Sequence, residues 1–332
     1  MNKNKTIEKL KYFSMFSGIG GFELGIDKAV LSKQRQEKLD SLQYKRNCPN
    51  FNGRRQPKQN NQQPPKHEEN ICVGFSEIDK YATQIYKRHF PKHKEYGDVS
   101  KITWSDVEDF NLLVGGFPCQ AFSIAGKRKG FDDTRGTLFF EIARCIEEKH
   151  PRLLLLENVK GLLSHDKGKT FGTILNTLDE LGYDLQWQVL NSKNFGVPQN
   201  RERVFIVGHL RGTSRPEVFP IGKTDEKTIG KINCIYELLG VTPSGLSRQG
   251  DRVFDVTGIS PTLTSFAETS IPKILKDTDY GIRRLTPTEC ERLQGFPDGW
   301  TEGISNTQRY KCLGNAVTVN VIETVMSKLV AQ

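Results

Sequence analysis

The sequence predicts an α/β fold built on a doubly wound, mostly parallel sheet, with a second, smaller and irregular domain. Short apolar segments alternate with helical patterns over the first 208 residues, as in proteins whose parallel strands are joined by helices. The four leucines at 153–156 leave no polar face, which is typical of a strand buried on both sides. Glycines at 18, 20 and 21 follow the first apolar segment and favour a tight turn from a strand into a helix.

The predicted elements follow one another in a regular order. Strands are expected from residue 12, then at 71–75, 112–116, 153–156, 185–190 and 204–208, with 96–99 ending a further strand. Helices are expected after the glycine turn and at 81–89, 136–149, 171–181 and 314–330. Between 31 and 70, Gln, Asn, Lys, Arg and Pro dominate, and such a segment buries too little apolar surface to offset its ordering entropy. We therefore interpret 31–70 as a flexible, basic surface insertion.

The regular alternation ends near residue 209, which indicates a boundary between domains. Beyond it the segments are short and rich in Gly, Pro, Ser and Thr, whereas the chain ends on a clear helical pattern. The sequence predicts one domain made of 1–208 together with 301–332, and a small domain at 209–300.

The composition favours a protein that binds a polyanion and argues against a membrane or secreted protein. A net charge of +9 and a pI near 9.1 suit a polyanionic partner, although many proteins are mildly basic. Mean hydropathy is -0.53, and no apolar run approaches the roughly 20 residues that span a bilayer. Seven cysteines without a repeated spacing, and no secretory leader, favour a reducing cytosol, so we expect a cytoplasmic protein with no metal site.

The glycine turn and two acids predict a site for an adenosine-containing cofactor. Phe16-Ser17-Gly18-Ile19-Gly20-Gly21 lets a ligand approach the backbone closely, but the spacing is not that of a typical dinucleotide fingerprint. Glu77 follows the second predicted strand, where an acid holds ribose hydroxyls, and Asp98 follows the third, where it can accept from an adenine amino group. The alternative is that both acids only cap helices.

Cys119 is the most informative residue of the chain. It lies in Gly116-Phe117-Pro118-Cys119, directly after a buried strand, where open α/β sheets place their chemistry. A nucleophile needs such an exposed position, whereas most free cysteines are inert core residues. Glu157 ends the neighbouring leucine strand, and its burial would raise its pKa enough for it to donate a proton near neutral pH. A helix-capping role for Glu157 is the alternative.

Two arginines form a further candidate cluster. Arg201 and Arg203 stand one residue apart before a strand, so both are expected on one face, suited to phosphate or planar acceptors. A surface ion-pair ladder through Glu202 is the alternative interpretation.

Together these segments resemble the DNA (cytosine-5)-methyltransferases of bacterial restriction–modification systems. The resemblance covers nearly the whole chain outside the insertion. It is carried by the motifs at 16–21, 115–123, 135–140, 157–159, 199–203, 284–287 with 294–297, and 314–317. It implies a Rossmann-like S-adenosylmethionine-dependent methyltransferase fold, in which 209–300 is the target-recognition domain and the remainder is the catalytic and cofactor-binding domain.

The resemblance also implies roles for individual residues. Cys119 would attack C6 of cytosine, Glu157 would hold or protonate N3, Arg203 would support O2, and Arg201 the site around the base. S-adenosylmethionine would be surrounded by residues from every motif: Phe16, Ser17, Gly18, Ile19, Gly20, Gly21, Glu77, Ile78, Asp98, Val99, Pro118, Leu138, Asn315 and Ala316.

Duplex DNA is the partner that the resemblance implies, with the target base flipped out of the stack. DNA contacts are expected from Gln120, Ser123, Arg248, Gln249, Arg252, Thr262 and Leu263. A scaffold or solvent role is an equal alternative for the arginines and Gln249. We expect a monomer without membrane contacts, accompanied by a restriction endonuclease that acts on the same site without touching it.

Three other functions account for the sequence less well. A tRNA cytosine-5-methyltransferase would carry a loop closer to Cys-Phe-Thr than the Gln120-Ala121-Phe122-Ser123 present here. A catalytically silent DNA-binding regulator would not need Cys119 or Glu157. An oxidoreductase would leave the loops bearing these two residues without a role.

Overall fold

A computed structural model describes residues 10–47, 71–118, 138–222, 234–237, 252–254, 258–265, 271–275 and 282–330. The strands are β1 (Lys11–Met15), β2 (Ile71–Ser76), β3 (Leu112–Gly116), β4 (Leu153–Val159), β5 (Tyr183–Asn191), β6 (Gln199–Asn200), β7 (Glu202–Leu210), β8 (Cys234–Glu237), β9 (Arg252–Phe254), β10 (Ser260–Pro261), β11 (Lys273–Leu275) and β12 (Ile282–Arg284). The helices are α1 (Gly21–Asn47), α2 (Lys80–His89), α3 (Leu138–Lys149), α4 (Lys169–Glu180), α5 (Pro287–Leu293), α6 (Asn306–Asn315) and α7 (Val319–Val330).

The main sheet confirms the predicted α/β class. Its strand order is β2-β1-β3-β4-β7-β5, and the first four strands run parallel. β7 is antiparallel to both of its neighbours, so the last strand of the predicted parallel series runs against the others. The reason is the short connection between β5 and β7, since a parallel crossover needs a dozen or more residues.

The leucine strand β4 is buried on both faces, as predicted. Leu154 and Leu156 pack into one apolar cluster together with α3 and α4. Leu153 and Leu155 point to the other side, into a second cluster with α1 and α7. Alternation of side chains along the strand distributes the four leucines over both clusters, and helices therefore cover the sheet on both sides.

Two elements differ from the sequence predictions. α1 continues to Asn47, so 31–47 is helical rather than part of a flexible insertion, and 48–70 lie outside the described residues. Its Gln, Lys, Arg, Glu and Leu residues are good helix formers that extend a helix already packed at its start. Residues 96–99 end no strand, because only Glu95 bridges to Phe75, and Asp98 instead caps a helical turn at Val99–Lys101.

The region after β7 only partly forms a separate unit. A small sheet has the order β12-β11-β9-β8, and β10 pairs with β6. Val218, Phe219 and Ile221, however, pack into the second cluster of the main sheet. A third cluster joins α5 and Trp300 to Ile19 and α2. Residues near both predicted boundaries of the small domain, 209 and 300, thus share apolar clusters with the remainder of the chain.

None of the helices described is long and apolar enough to cross a membrane. The described part of the chain also holds no group of three or more His, Cys, Asp or Glu side chains arranged to bind a metal ion.

Candidate active site

A cavity of ≈ 520 Å³ opens at the carboxyl ends of β1 to β4, the edge at which α/β sheets bind ligands. Residues that follow β1, β2 and β3 and the last three residues of β4 contribute to its wall, together with residues 262–265 and 314–315. Predicted cofactor residues that line it are Phe16, Gly18, Glu77, Ile78, Asp98, Val99, Pro118, Leu138 and Asn315.

In the turn after β1, some residues line the cavity and the others pack against the rest of the protein. Phe16 and Gly18 line the cavity with left-handed backbone (φ 55° and 56°), which Gly18 adopts without steric cost. Ser17 is buried and donates from its backbone N–H to Ser76 O at 3.1 Å. Ile19 lies in the third apolar cluster. A Cβ on Gly21 would come within 2.8 Å of the Val317 side chain, so this glycine permits close packing against the C-terminal segment.

Glu77 ties the end of β2 to the turn after β1. Its Oε2 accepts from the Gly18 N–H at 2.8 Å. Its Oε1 accepts from the N–H groups of Ile78 and Asp79 at 2.9 and 2.8 Å. A carboxylate has about four acceptor positions, so one remains for a ligand hydroxyl. Beside it, the Ile78 side chain is 75% exposed, an apolar surface that a bound ligand would cover.

Asp98 lies at the cavity wall and accepts from both the N–H and the hydroxyl of Ser100, at 3.0 and 2.8 Å. These hydrogen bonds lower the pKa of the Asp98 carboxyl. Asp98 Oδ1 therefore already accepts two hydrogen bonds from the helical turn that Asp98 caps, in agreement with the alternative that this acid is a helix cap. Val99 is buried beside it, and Ala316 is buried behind Asn315.

Glu157 and Arg203 form an ion pair at the floor of the cavity. Arg203 Nε lies 3.0 Å from Glu157 Oε1, and both side chains are mostly buried. Burial raises the pKa of Glu157, although Arg203 and Arg201 oppose the increase. Burial likewise lowers the pKa of Arg203, and the carboxylate offsets this. A Cβ on Gly116 would come within 3.2 Å of Glu157 Oε2, so the glycine beside it on β3 leaves the carboxyl room.

Arg201 and Arg203 both border the cavity, as predicted for residues on one face, but their hydrogen-bond partners differ. Arg201 is buried between β6 and β7, and its guanidinium donates to the carbonyls of Leu263, Gly314 and Ala316 at 3.0, 3.2 and 2.8 Å. Burial, together with Arg203, lowers the pKa of Arg201 to about 9. Although Arg201 borders the cavity, these bonds to backbone carbonyls connect segments that are distant in sequence.

The predicted DNA contacts are only partly covered by the structure. Cys119, Gln120, Ser123, Arg248 and Gln249 lie outside the described residues, and Arg252 is described only as part of β9.

Thr262 and Leu263, two further predicted DNA contacts, form hydrogen bonds with other residues of the protein. Thr262 donates from its hydroxyl to Asn200 O at 2.6 Å. Leu263 is buried, and its backbone accepts from Arg201 and donates to Gln199, so its side chain packs inside the protein. The apolar character of Leu263 favours this burial over an aqueous surface.

Sequence reasoning missed Gln199 and Asn158. Gln199 donates to Leu293 O at 2.8 Å and accepts from the Leu263 N–H at 3.0 Å. Asn158 borders the cavity and donates to Phe117 O at 2.9 Å. Both belong to motifs quoted from the sequence, so the signal was present, but their partners are far away along the chain.

The comparisons with known proteins show the family of the chain. The model of the C-5 cytosine-specific DNA methylase family matches residues 10–236 and 241–331. Type II methyltransferase M1.ScrFI of Lactococcus lactis subsp. cremoris is 37% identical, over 98% of this chain and 79% of its own length. M.HhaI of Haemophilus parahaemolyticus is 31% identical, over 97% of this chain and 95% of its own.

Solved structures agree at the level of the fold. The S. pombe Dnmt2 methyltransferase superposes with a TM-score of 0.67 at 21% identity, over 97% of this chain and 99% of its own. The fold is thus that of the methyltransferases. The chain belongs to the C-5 cytosine-specific DNA methylase family, and it is a DNA cytosine-5-methyltransferase.

Proposed function

We propose that the protein methylates C5 of a cytosine within a short, specific duplex sequence, through a covalent bond between Cys119 and C6 of a flipped-out base. The observation that carries this proposal is the buried Glu157–Arg203 pair, which faces the same cavity as Pro118, the residue before Cys119. The methylated DNA would be protected in the bacterial cytosol from a restriction endonuclease of the same specificity, which need not touch the methyltransferase.

The cavity fits S-adenosylmethionine, the methyl donor that the family implies. Its volume of ≈ 520 Å³ is within the range of small-molecule sites. The remaining acceptor position of Glu77 suits a ribose hydroxyl, and the exposed Ile78 side chain offers an apolar surface to a flat ring. Gly18, with nothing within 4 Å of an added Cβ, leaves its backbone open to the ligand. When bound, S-adenosylmethionine supplies an electrophilic methyl group.

Cys119 and Glu157 make cytosine reactive. As the cysteine thiolate forms its bond to C6, the electrons of the C5–C6 double bond move into the ring toward N3. Glu157 donates a proton or a strong hydrogen bond to N3, and the raised pKa of this carboxyl supports that role. C5 is then an enamine carbon able to take up the methyl group, with S-adenosyl-L-homocysteine as the thioether product. Water or another base would take the C5 proton, the N3 proton would return to Glu157, and elimination of the Cys119 thiolate would restore the aromatic ring.

Arg203 supports both the base and its proton donor. Its Nε is held by Glu157, and its Nη1 donates to Glu202 O at 2.8 Å, so the guanidinium is oriented before the base arrives. A donor fixed in this way suits the cytosine O2, where negative charge increases when a nucleophile adds to the ring. Because C6 cannot be reached within a stacked duplex, the base must leave the helix, at a cost of a few kcal/mol.

The DNA contacts remain a proposal based on the sequence. Gln120 and Ser123 would lie on the loop that closes over DNA, and Arg248, Gln249 and Arg252 would read bases or phosphates. Thr262 and Leu263 would act indirectly, since their bonds to Asn200, Gln199 and Arg201 fix the segment that borders the cavity. We propose that a single protomer carries out the reaction.

A covalent trap tests this function. Bisulfite sequencing of DNA from cells that express the protein identifies the target. A duplex carrying 5-fluorocytosine at that position should then form a stable adduct with S-adenosylmethionine present, because fluorine blocks the final elimination. Cys119→Ala should form none, whereas Cys145→Ala, which removes a thiol buried in α3, should react like the wild type. An adduct with Cys119→Ala, or methyl transfer to tRNA instead of DNA, would contradict the proposal.

A further inference from the structure

Asn158 makes a buried connection between the two strand ends at the floor of the cavity. It follows Glu157 on β4 and is 2% exposed. Its Nδ2 donates to Phe117 O at 2.9 Å, and its Oδ1 accepts from the Val159 N–H at 2.8 Å. Since the Val159 N–H can only donate, it fixes the orientation of the amide and directs the NH₂ group to Phe117.

This hydrogen bond begins where the sheet ends. The pairing between β3 and β4 stops at Gly116 and Glu157, and Phe117 leaves the sheet immediately afterwards. The Phe117 ring is buried and packs against Phe139, with ring centroids 5.7 Å apart. The Asn158 amide thus holds the backbone of Phe117 at the point where the strand no longer does, and Cys119 follows two residues later in the sequence.

We propose that Asn158 is a positioning residue for the reaction. It fixes the segment that leads to Cys119 relative to Glu157, so that the nucleophile and the proton donor reach C6 and N3 of the same base. This inference rests on the proposed function, because it assumes that Cys119 and Glu157 act on one ring. Errors of about 1 Å in such a geometry lower rates by about 100-fold.

Asn158→Asp provides the sharpest test, because it keeps the shape of the side chain and replaces the donor by an acceptor. We expect the wild-type protein and the variant to bind S-adenosylmethionine and target DNA with similar affinity. The rate of adduct formation with 5-fluorocytosine DNA, at saturating ligands, should fall by about 100-fold in the variant. Asn320→Asp is the matched control, since Asn320 also donates to a phenylalanine carbonyl, Phe195 O, at 2.9 Å but lies outside the cavity wall. It should react at the wild-type rate.

The pH profile separates positioning from a general structural effect. A protonated aspartic acid can donate to Phe117 O, so the rate of Asn158→Asp relative to wild type should recover as pH falls from 8 to 5.5. Both proteins are compared under conditions in which circular dichroism shows them fully folded at every pH, because protonation of a buried carboxyl would also restore lost stability. If Asn158→Asp does not fold, Asn158→Ala is used instead. This variant also removes the donor but places no carboxylate oxygen against Phe117 O, and its rate is compared with that of the wild type in the same way.

The outcomes distinguish this inference from the proposed function. A wild-type protein that forms no adduct contradicts the proposed function, and the inference with it. A wild-type protein that reacts while folded Asn158→Asp or Asn158→Ala reacts within about 3-fold of its rate contradicts only the role of Asn158.

Discussion

Glu23 is a carboxylic acid buried without exposure in the first turn of α1, directly behind the turn that follows β1. Its Oε1 accepts from the Tyr86 hydroxyl at 3.0 Å, and that hydroxyl also lies 3.0 Å from His93 Nδ1. Burial raises the pKa of Glu23 to about 7 and lowers that of His93 to about 4, so both groups are largely neutral in slightly acidic solution. Ionising Glu23 therefore opposes folding.

The stability of the protein should depend on pH through Glu23. Since its pKa is raised from 4.5 to about 7 on folding, the folded state binds more protons between these values, and the free energy of unfolding falls as pH rises through them. Glu23→Gln keeps the acceptor for Tyr86 but cannot ionise. Relative to wild type, it should gain about 2 kcal/mol between pH 5 and pH 8. Urea unfolding at both pH values measures this gain. A difference between the two proteins that is the same at both values would contradict the role of Glu23.

At the scale of elements, the sequence predicted features that depend on neighbouring residues, such as the burial of a strand. It did not predict features that depend on pairing with distant strands, such as strand direction. The leucine run at 153–156 predicted a strand buried on both faces, because alternation alone places its side chains. The direction of β7 could not be predicted from its own residues, since it depends on pairing with β4 and β5. The polar composition after residue 31 suggested disorder, yet α1 continues to Asn47, because helix propensity operates where no apolar pattern is visible.

The close contact between α1 and α7 should depend on Gly25, although nothing in the sequence marks this glycine as different from other helical glycines. A Cβ on Gly25 would lie 2.5 Å from Ile322 Cγ2 and 3.1 Å from Val319 O. Gly25→Ala should therefore lower the free energy of unfolding by about 1–3 kcal/mol through overpacking. Gly172→Ala in α4 is the matched control, because nothing lies within 4 Å of its Cβ. It should raise the free energy by up to about 1 kcal/mol. Urea unfolding that ranks the two variants in the opposite order would exclude this explanation.

At the scale of the whole molecule, hydrogen bonds that are buried or partly buried connect the C-terminal segments to the N-terminal ones. Trp300 donates from its indole N–H to Ile19 O at 2.9 Å, and Lys28 donates to Gly295 O at 3.2 Å. The resemblance to the methyltransferase family implied that Glu157 and Arg203 belong to one site, and the antiparallel direction of β7, which the sequence did not predict, brings the start of that strand to the carboxyl end of β4. The bonds from Arg201 to three backbone carbonyls could not be predicted from the sequence, because backbone carbonyls that are distant along the chain leave no sequence signal.

Arg201 should consequently matter for the stability of the whole molecule, not only for catalysis. Arg201→Met preserves length and apolar contact but removes the donors to the carbonyls of Leu263, Gly314 and Ala316, and each buried carbonyl left without a donor costs about 1–3 kcal/mol. We expect the free energy of unfolding to fall by roughly 3 kcal/mol in total, because Gln294 also donates to Ala316 O and partly compensates.

The matched control for Arg201→Met is Arg211→Ala, which removes a half-exposed arginine paired with Asp179 and Asp184. Exposed ion pairs contribute little, so its free energy of unfolding should change by less than about 1 kcal/mol. Urea unfolding without ligands compares both variants with the wild type. Equal midpoints for Arg201→Met and the wild type would mean that the carbonyls find other donors, and that Arg201 does not hold these segments together.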